Sequence, residues 1–226
     1  MKPTEPRVLY EDNHLLVIDK PAPLATMGAA AGEPTAVEWA RDYLKRRYDK
    51  PGNVFIGVVS RLDAFVTGVL PLARTSKGAA RLSASFAGDE VAKHYIAWLD
   101  GMLPAEQGSW RDRLRHDDQA QRVVVERGAG GQEAELHWER IATIDERDLV
   151  AIRLVTGRKH QIRVQASSRR LPIVGDVKYG GPRWSAPGIA LHAARIVLPH
   201  PTRREPMTFE SPLPETWPLA VRRALS

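Results

Sequence analysis

Two apolar runs, Val54–Val59 and Val69–Ala73, flank the short break Ser60-Arg61-Leu62-Asp63-Ala64-Phe65-Val66-Thr67-Gly68. Each run has the length of a buried strand, and neither carries a charge. A chain with this pattern must bury both runs and leave the break between them at the surface. The break holds an arginine and an aspartate one residue apart, with Gly68 supplying backbone freedom at its far end. Loops held by rigid strands are where catalytic and binding groups are usually mounted. Taken alone, the Arg61–Asp63 pair reads more readily as a solvated surface turn, and it is the remainder of the chain that reverses this reading.

The chain has 226 residues, enough for one large core or two small ones. It has no cysteine, which excludes disulfides and thiolate metal sites. None of the seven histidines pairs at zinc-site spacing and His-Glu-x-x-His is absent, so a metal-dependent hydrolase is a poor reading and no metal is expected. No apolar run approaches the ~20 residues of a bilayer span. The opening Met1-Lys2-Pro3-Thr4-Glu5-Pro6 lacks the apolar stretch of a signal peptide, so a cytoplasmic protein with no membrane partner is expected. The 33 Lys+Arg outnumber the 27 Asp+Glu, which tilts the choice of partner toward a polyanion.

Periodicity predicts strands at Val8–Tyr10 and Leu15–Ile18, joined by a polar turn and ended by Lys20-Pro21-Ala22-Pro23. Thr35-x-x-Glu38 is a capping box, and Val37, Ala40 and Leu44 follow at helical spacing, predicting a helix over 36–48. Pro71 inside the second apolar run predicts an edge or irregular strand there. A helix is expected from Ser76, with Ala79, Leu82 and Phe86 on one face. Strands follow at Val91–Leu99, Arg122–Glu126, Glu133–Ile141, Leu149–Val155, Ala190–Leu198 and Met207–Glu210, and a last helix at Leu219–Leu225. The mixture predicts an α+β fold with one large, mostly antiparallel central sheet and flanking helices, in a single domain over 1–226.

Arg158, Lys159, Arg163, Arg169 and Arg170 place five cations within thirteen positions. On a helix, Ile162 and Ala166 would pack inward while Arg163, Ser167 and Arg170 share another stripe. This is the best phosphate-binding surface that the sequence offers.

Three separated segments coincide with one family. Arg61-Leu62-Asp63 with Thr67-Gly68, then Lys93-His94-Tyr95, then Thr156-Gly157-Arg158 with His160-Gln161-Ile162-Arg163 and Pro172-Ile173-Val174-Gly175-Asp176, together resemble the RluA-type pseudouridine synthases. The flanks resemble the family too, so the likeness runs over residues 7–215. Each motif alone is weak; their order and spacing make them specific. The resemblance implies the pseudouridine synthase fold with a basic catalytic cleft. It implies an isomerase that converts a uridine of structured ribosomal or transfer RNA to pseudouridine after flipping it out, with no cofactor and no accessory amino-terminal RNA-binding domain. A monomer is expected.

By the same resemblance, Asp63 is the catalytic nucleophile, Tyr95 the ring that stacks on the uracil, and Arg163 the basic partner of the aspartate. Arg61 contacts RNA beside the vacated position, and Val174 or Ile173 forms the apolar wall opposite the ring. Arg158, Lys159, His160 and Arg170 complete the substrate-binding set. The chain departs from the family pattern at Ser60, Phe65, Val66 and Gln165, where His, Asp, Thr and His are common. The chief alternative is a catalytically silent RNA-binding protein of the same fold; a basic protein-interaction module would leave the spaced motifs unexplained.

Overall fold

Thr35 and Glu38 set the first helix in place. In the computed structural model, which describes residues 5–30 and 32–225, the Thr35 hydroxyl accepts from the Glu38 N–H while Glu38 reaches back to the Thr35 N–H. The reciprocal cap satisfies two amide donors that the first helical turn otherwise leaves without partners. In chain order the elements are β1 (Arg7–Glu11), β2 (Leu15–Lys20), α1 (Ala36–Arg47), β3 (Gly57–Val58), β4 (Thr67–Ala73) and α2 (Ser76–Ala87). They continue with β5 (Ala92–Trp98), β6 (Gln107–Asp117), β7 (Arg122–Glu126), β8 (Gln132–Ile144) and β9 (Arg147–Leu154). Helix α3 (Gln161–Ser168), β10 (Leu191–Pro199), β11 (Pro206–Glu210) and α4 (Leu219–Arg223) complete the chain, with a short 3-10 turn at Val177–Tyr179. The α+β class and the mostly antiparallel pairing match the expectation.

The chain forms two compact units, one from the residues up to Ala92 together with Ala193–Pro212, the other from Lys93–His192 together with Leu213 onward. In the first, strands run in the order β1-β2-β4-β10, with β3 on β4 and β11 on β10. Leu15, Val17, Val69, Ala73, Leu82, Ile196, Leu198 and Phe209 form its core, and Ala79 and Phe86 of α2 pack on it. The predicted face of α2 is therefore the one that is buried.

Strand β4 corrects the reading of Pro71. It lies between β2 and β10, every one of its residues is buried, and Pro71 stands opposite Val17. A proline forfeits one ladder donor, but a strand apolar on both faces gains more from burial than that donor is worth.

Gly68, the second residue of β4, has φ +112°, and a Cβ on it would run into the backbone of Ala193. Both the torsion and the contact require glycine. Gly68→Ala is therefore expected to cost about 3 kcal/mol, or about 6–12 °C in Tm for a chain this long. A thermal melt followed by circular dichroism checks it; an unchanged Tm would contradict the account of this corner.

The second unit holds the order β5-β9-β8-β6-β7, each adjacent pair antiparallel. Its core includes Leu114, Val123, Ala134, Val164 and Tyr179. Strand β6 has no counterpart in the sequence reading. Only Trp110 and Leu114 of its eleven residues are buried, so its apolar signal is faint; pairing with β7 and β8 on both sides makes it a strand.

Candidate active site

In the first unit the Asp63 segment connects β3 to β4 and is tied at successive points to the chain that follows β2. One hydroxyl, that of Thr26, donates to the Leu62 carbonyl at 2.8 Å and accepts the Leu62 N–H at 3.0 Å. The Leu24 N–H donates to the Ala64 carbonyl at 2.9 Å, and the Val66 N–H closes a turn onto the Asp63 carbonyl at 3.0 Å. Backbone on both sides of Asp63 is thus fixed. Around it, Leu62 and Val66 are buried, Asp63 is half-buried, and Arg61 and Phe65 are exposed.

The residue that sequence reasoning missed here is Lys20. The sequence puts it in the segment that ends the strand, yet period-two alternation along β2 sets it on the face of Leu16 and Ile18, and it is fully buried. Its ammonium donates to the carbonyls of Leu24 at 2.7 Å, Pro21 at 2.9 Å and Ala64 at 3.3 Å. Burial pulls its pKa from 10.5 down to about 7, while the negative charges of Asp63 and then Asp19 pull the other way. Lys20 thereby joins the strand end, the Pro21–Leu24 segment and the residue that follows Asp63.

A lysine that titrates near 7 when folded and at 10.5 when unfolded binds fewer protons in the native state between those values. Stability therefore rises with pH across that window. In unfolding experiments at pH 7 and pH 10, the parent is expected to gain on Lys20→Met as the pH is raised; parallel pH profiles would remove Lys20 from this role.

In the second unit Tyr95 lies on β5, half-buried and opposite Ile152 of β9. Arg163 comes from α3 and is buried, not on the exposed stripe that helical periodicity implied. Its Nε and Nη2 grip the two carboxylate oxygens of Asp176 at 2.7 and 2.8 Å, and its guanidinium lies 5.0 Å from the Tyr179 ring centroid. Asp176, quoted in a motif but given no role, is thus the second residue missed. A charged group inside an apolar helix face needs a partner of opposite charge, and an acid in the same family motif is the signal that could have found it.

The Thr156-Gly157-Arg158 loop is held by Gln161. Its amide oxygen accepts from the Thr156 hydroxyl at 2.9 Å and the Arg158 N–H at 3.0 Å, and its amide nitrogen donates to the Glu135 carbonyl at 3.0 Å. A Cβ on Gly157 would lie 3.2 Å from the Lys93 ammonium. Burial, and next the positive charge of Arg158, lower the Lys93 pKa. Arg158, Lys159 and Arg170 are exposed, whereas His160 shares a 2.8 Å hydrogen bond with the Tyr179 hydroxyl.

The five-cation cluster is divided by the structure. Arg163 is buried and paired with Asp176, and Arg169 pairs with Asp112 at 2.9 Å and covers the Trp110 ring. Ile173 and Val174 are both buried, with Ile173 bridged to Leu99 and the Val174 N–H donated to the Trp98 carbonyl. Gln165, where the family commonly has His, is buried and donates to Asp112 at 2.7 Å. Among the described residues no helix is long and apolar enough to cross a membrane.

Solved structures identify the architecture. The human RNA pseudouridylate synthase domain containing 4 matches with a TM-score of 0.77 at 23% identity, over 96% of this chain and 92% of that one. The human RNA pseudouridylate synthase domain containing 1 matches with a TM-score of 0.76 at 22% identity. The fold is therefore that of a pseudouridine synthase. The RNA pseudouridylate synthase family model matches residues 14–168, from the turn before β2 through α3. The ribosomal large subunit pseudouridine synthase D of Pseudomonas aeruginosa is 33% identical over 237 residues, covering 97% of this chain and 72% of its own. The dual-specificity RNA pseudouridine synthase RluA of Haemophilus ducreyi is 30% identical over 217 residues, covering 90% and 91%. The chain belongs to the RluA-type family of RNA pseudouridine synthases, isomerases that convert uridine to pseudouridine.

Proposed function

We propose that the chain isomerises one particular uridine of a structured ribosomal or transfer RNA, with the Asp63 carboxylate as nucleophile and the target nucleotide flipped out of its stack. The observation that carries this reading is the mounting of Asp63: a half-buried carboxylate on a turn whose backbone is tied to Thr26, Leu24 and Lys20. A nucleophile gains most from a fixed position, because its approach to the reacting carbon is then settled before the substrate arrives.

The reaction breaks the bond from the ribose to the uracil nitrogen, turns the base, and rejoins it through a ring carbon. The ring carbon gives up a proton and the nitrogen ends with one, so no electrons are gained or lost and no cofactor is needed. Asp63 forms a bond early and releases it later. Tyr95 is assigned the ring that stacks on uracil, with a hydroxyl suited to proton transfer. Arg163 is assigned the guanidinium that keeps the nucleophile ionised, its fork oriented by Asp176. Val174, with Ile173 behind it, is assigned the apolar wall. Arg61, exposed two residues before the nucleophile, is assigned the phosphate or the space that the extruded base leaves. A cytoplasmic monomer completes the reading.

Arg158, Lys159, His160 and Arg170 are assigned the RNA backbone. The lowered pKa of Lys93 supports this, because burial and then the positive charge of Arg158 disfavour its charged form and a phosphate placed there relieves the repulsion. Replacing Arg158, Lys159 and Arg170 together by Ala is expected to weaken RNA binding and to reduce the slope of log affinity against log salt by about 2–3. Arg169→Ala should leave that slope alone and instead lower stability. Filter binding over a salt series checks both; an unchanged slope in the triple variant would take these residues out of the interface. The reading as a whole is tested by incubating the purified chain with ribosomal and transfer RNA from a strain lacking its gene. Pseudouridine appearing at a defined uridine supports it, and binding without any conversion would favour the silent RNA-binding alternative.

A further inference from the structure

The turn that carries Asp63 also carries an aromatic ring for which isomerisation has no evident use. Phe65 occupies the second corner of the turn that the Val66 N–H closes on the Asp63 carbonyl, and it is 50% exposed. Its neighbours face the other way: Leu62 and Val66 are exposed by only 6% and 3%. The segment therefore buries Leu62 and Val66, leaves Ala64 half-buried and turns its largest apolar side chain outward. A single exposed phenylalanine is ordinary on a protein surface. This one is distinguished by its mounting, because the carbonyl of the preceding residue, Ala64, is held by both Leu24 and Lys20.

Arg61, also exposed, lies as far before Asp63 as Phe65 lies after it. Two residues span at most about 7 Å of chain, so the backbone positions of Arg61 and Phe65, both exposed, flank that of Asp63 closely on either side. A ring offers a face to any base, and a guanidinium offers paired donors to a phosphate. A paired base inside a helix has both faces covered by its neighbours, whereas an unpaired one can lie against an aromatic side chain.

We propose that Phe65 determines substrate specificity by stacking on an unpaired base next to the target uridine, so that the chain selects uridines flanked by a single-stranded nucleotide. This rests on the reading of Asp63 as the catalytic nucleophile. A smaller or acidic residue at the same corner offers no such face, so the preference belongs to this chain and not to the turn as such.

The test uses a stem-loop RNA that carries the converted uridine in its loop, and the same RNA made abasic on each side of that uridine in turn. Phe65→Ala is expected to raise KM about 5- to 150-fold, the factor for one base stacked on an aromatic ring, with kcat changed less than threefold and Tm unchanged. Phe65→Tyr restores the parent KM; Phe65→Leu, apolar but without a ring face, does not. For the parent, one abasic RNA reproduces the loss, and Phe65→Ala loses nothing more on it, as expected of two partners in one contact. A parent-like KM in Phe65→Ala, or losses that simply multiply on both abasic RNAs, would overturn the inference while leaving Asp63 as nucleophile intact. A parent protein that converts none of the RNAs would overturn both.

Discussion

Asp63→Asn is expected to abolish pseudouridine formation, with a fall of about 10⁴-fold or more, because the reaction loses the group that forms its covalent bond. The amide keeps the shape of the carboxylate, and the bonds that fix the turn are made by backbone on either side of the side chain. Tm should therefore move by only a degree or two, and RNA affinity by no more than about threefold. The neighbouring Lys20 should respond as well, since the Asp63 charge is the first of two that raise its pKa. With that charge gone, the ammonium should release its proton at lower pH than in the parent. Single-turnover conversion and a binding isotherm on the same RNA separate the lost chemistry from lost recognition. A variant that binds poorly and melts early would mean that Asp63 holds the loop and does not serve the reaction.

Asp176→Asn should produce the largest loss of stability. Arg163 and Asp176 are 5% and 1% exposed and are joined by two short hydrogen bonds. Removing the negative charge of Asp176 from this buried pair costs about 3–5 kcal/mol, or ~6–20 °C in Tm. Arg163→Met combined with Asp176→Asn should recover much of this, because an apolar chain of similar length leaves no stranded charge. Calorimetry on the two single variants and the double variant checks the cycle; strictly additive losses would show that the pair is not the unit described.

The features legible in the sequence were those decided by neighbours along the chain. The Thr35–Glu38 box, the start of α2 at Ser76 and the bounds of β7 rest on spacings of two to four residues, and each stands where periodicity put it. What local pattern missed was decided by distant partners. Strand β6 is defined by β7 and β8, and Pro71 sits in an interior strand because β2 and β10 cover both edges. Arg163 looked like a surface cation because helical spacing cannot register an acid thirteen residues away that makes burial affordable. Lys20 likewise draws its acceptors from a turn and a loop, one of them forty-four residues off. Of the candidate site, Asp63 and its turn could be read from a charged break between apolar runs, although the first run forms strand only at Gly57–Val58 and leaves Phe55 exposed. The residues that hold that turn could not.

The central claim is that this chain makes pseudouridine through Asp63, and mapping in cells tests it most directly. Pseudouridines are located in ribosomal and transfer RNA from cells lacking the gene, then from the same cells given the parent gene or the Asp63→Asn gene at equal protein levels. The account predicts a defined uridine that is unmodified without the gene, modified with the parent and unmodified with the variant. Equal restoration by both genes, or an unchanged map in all three, would contradict it.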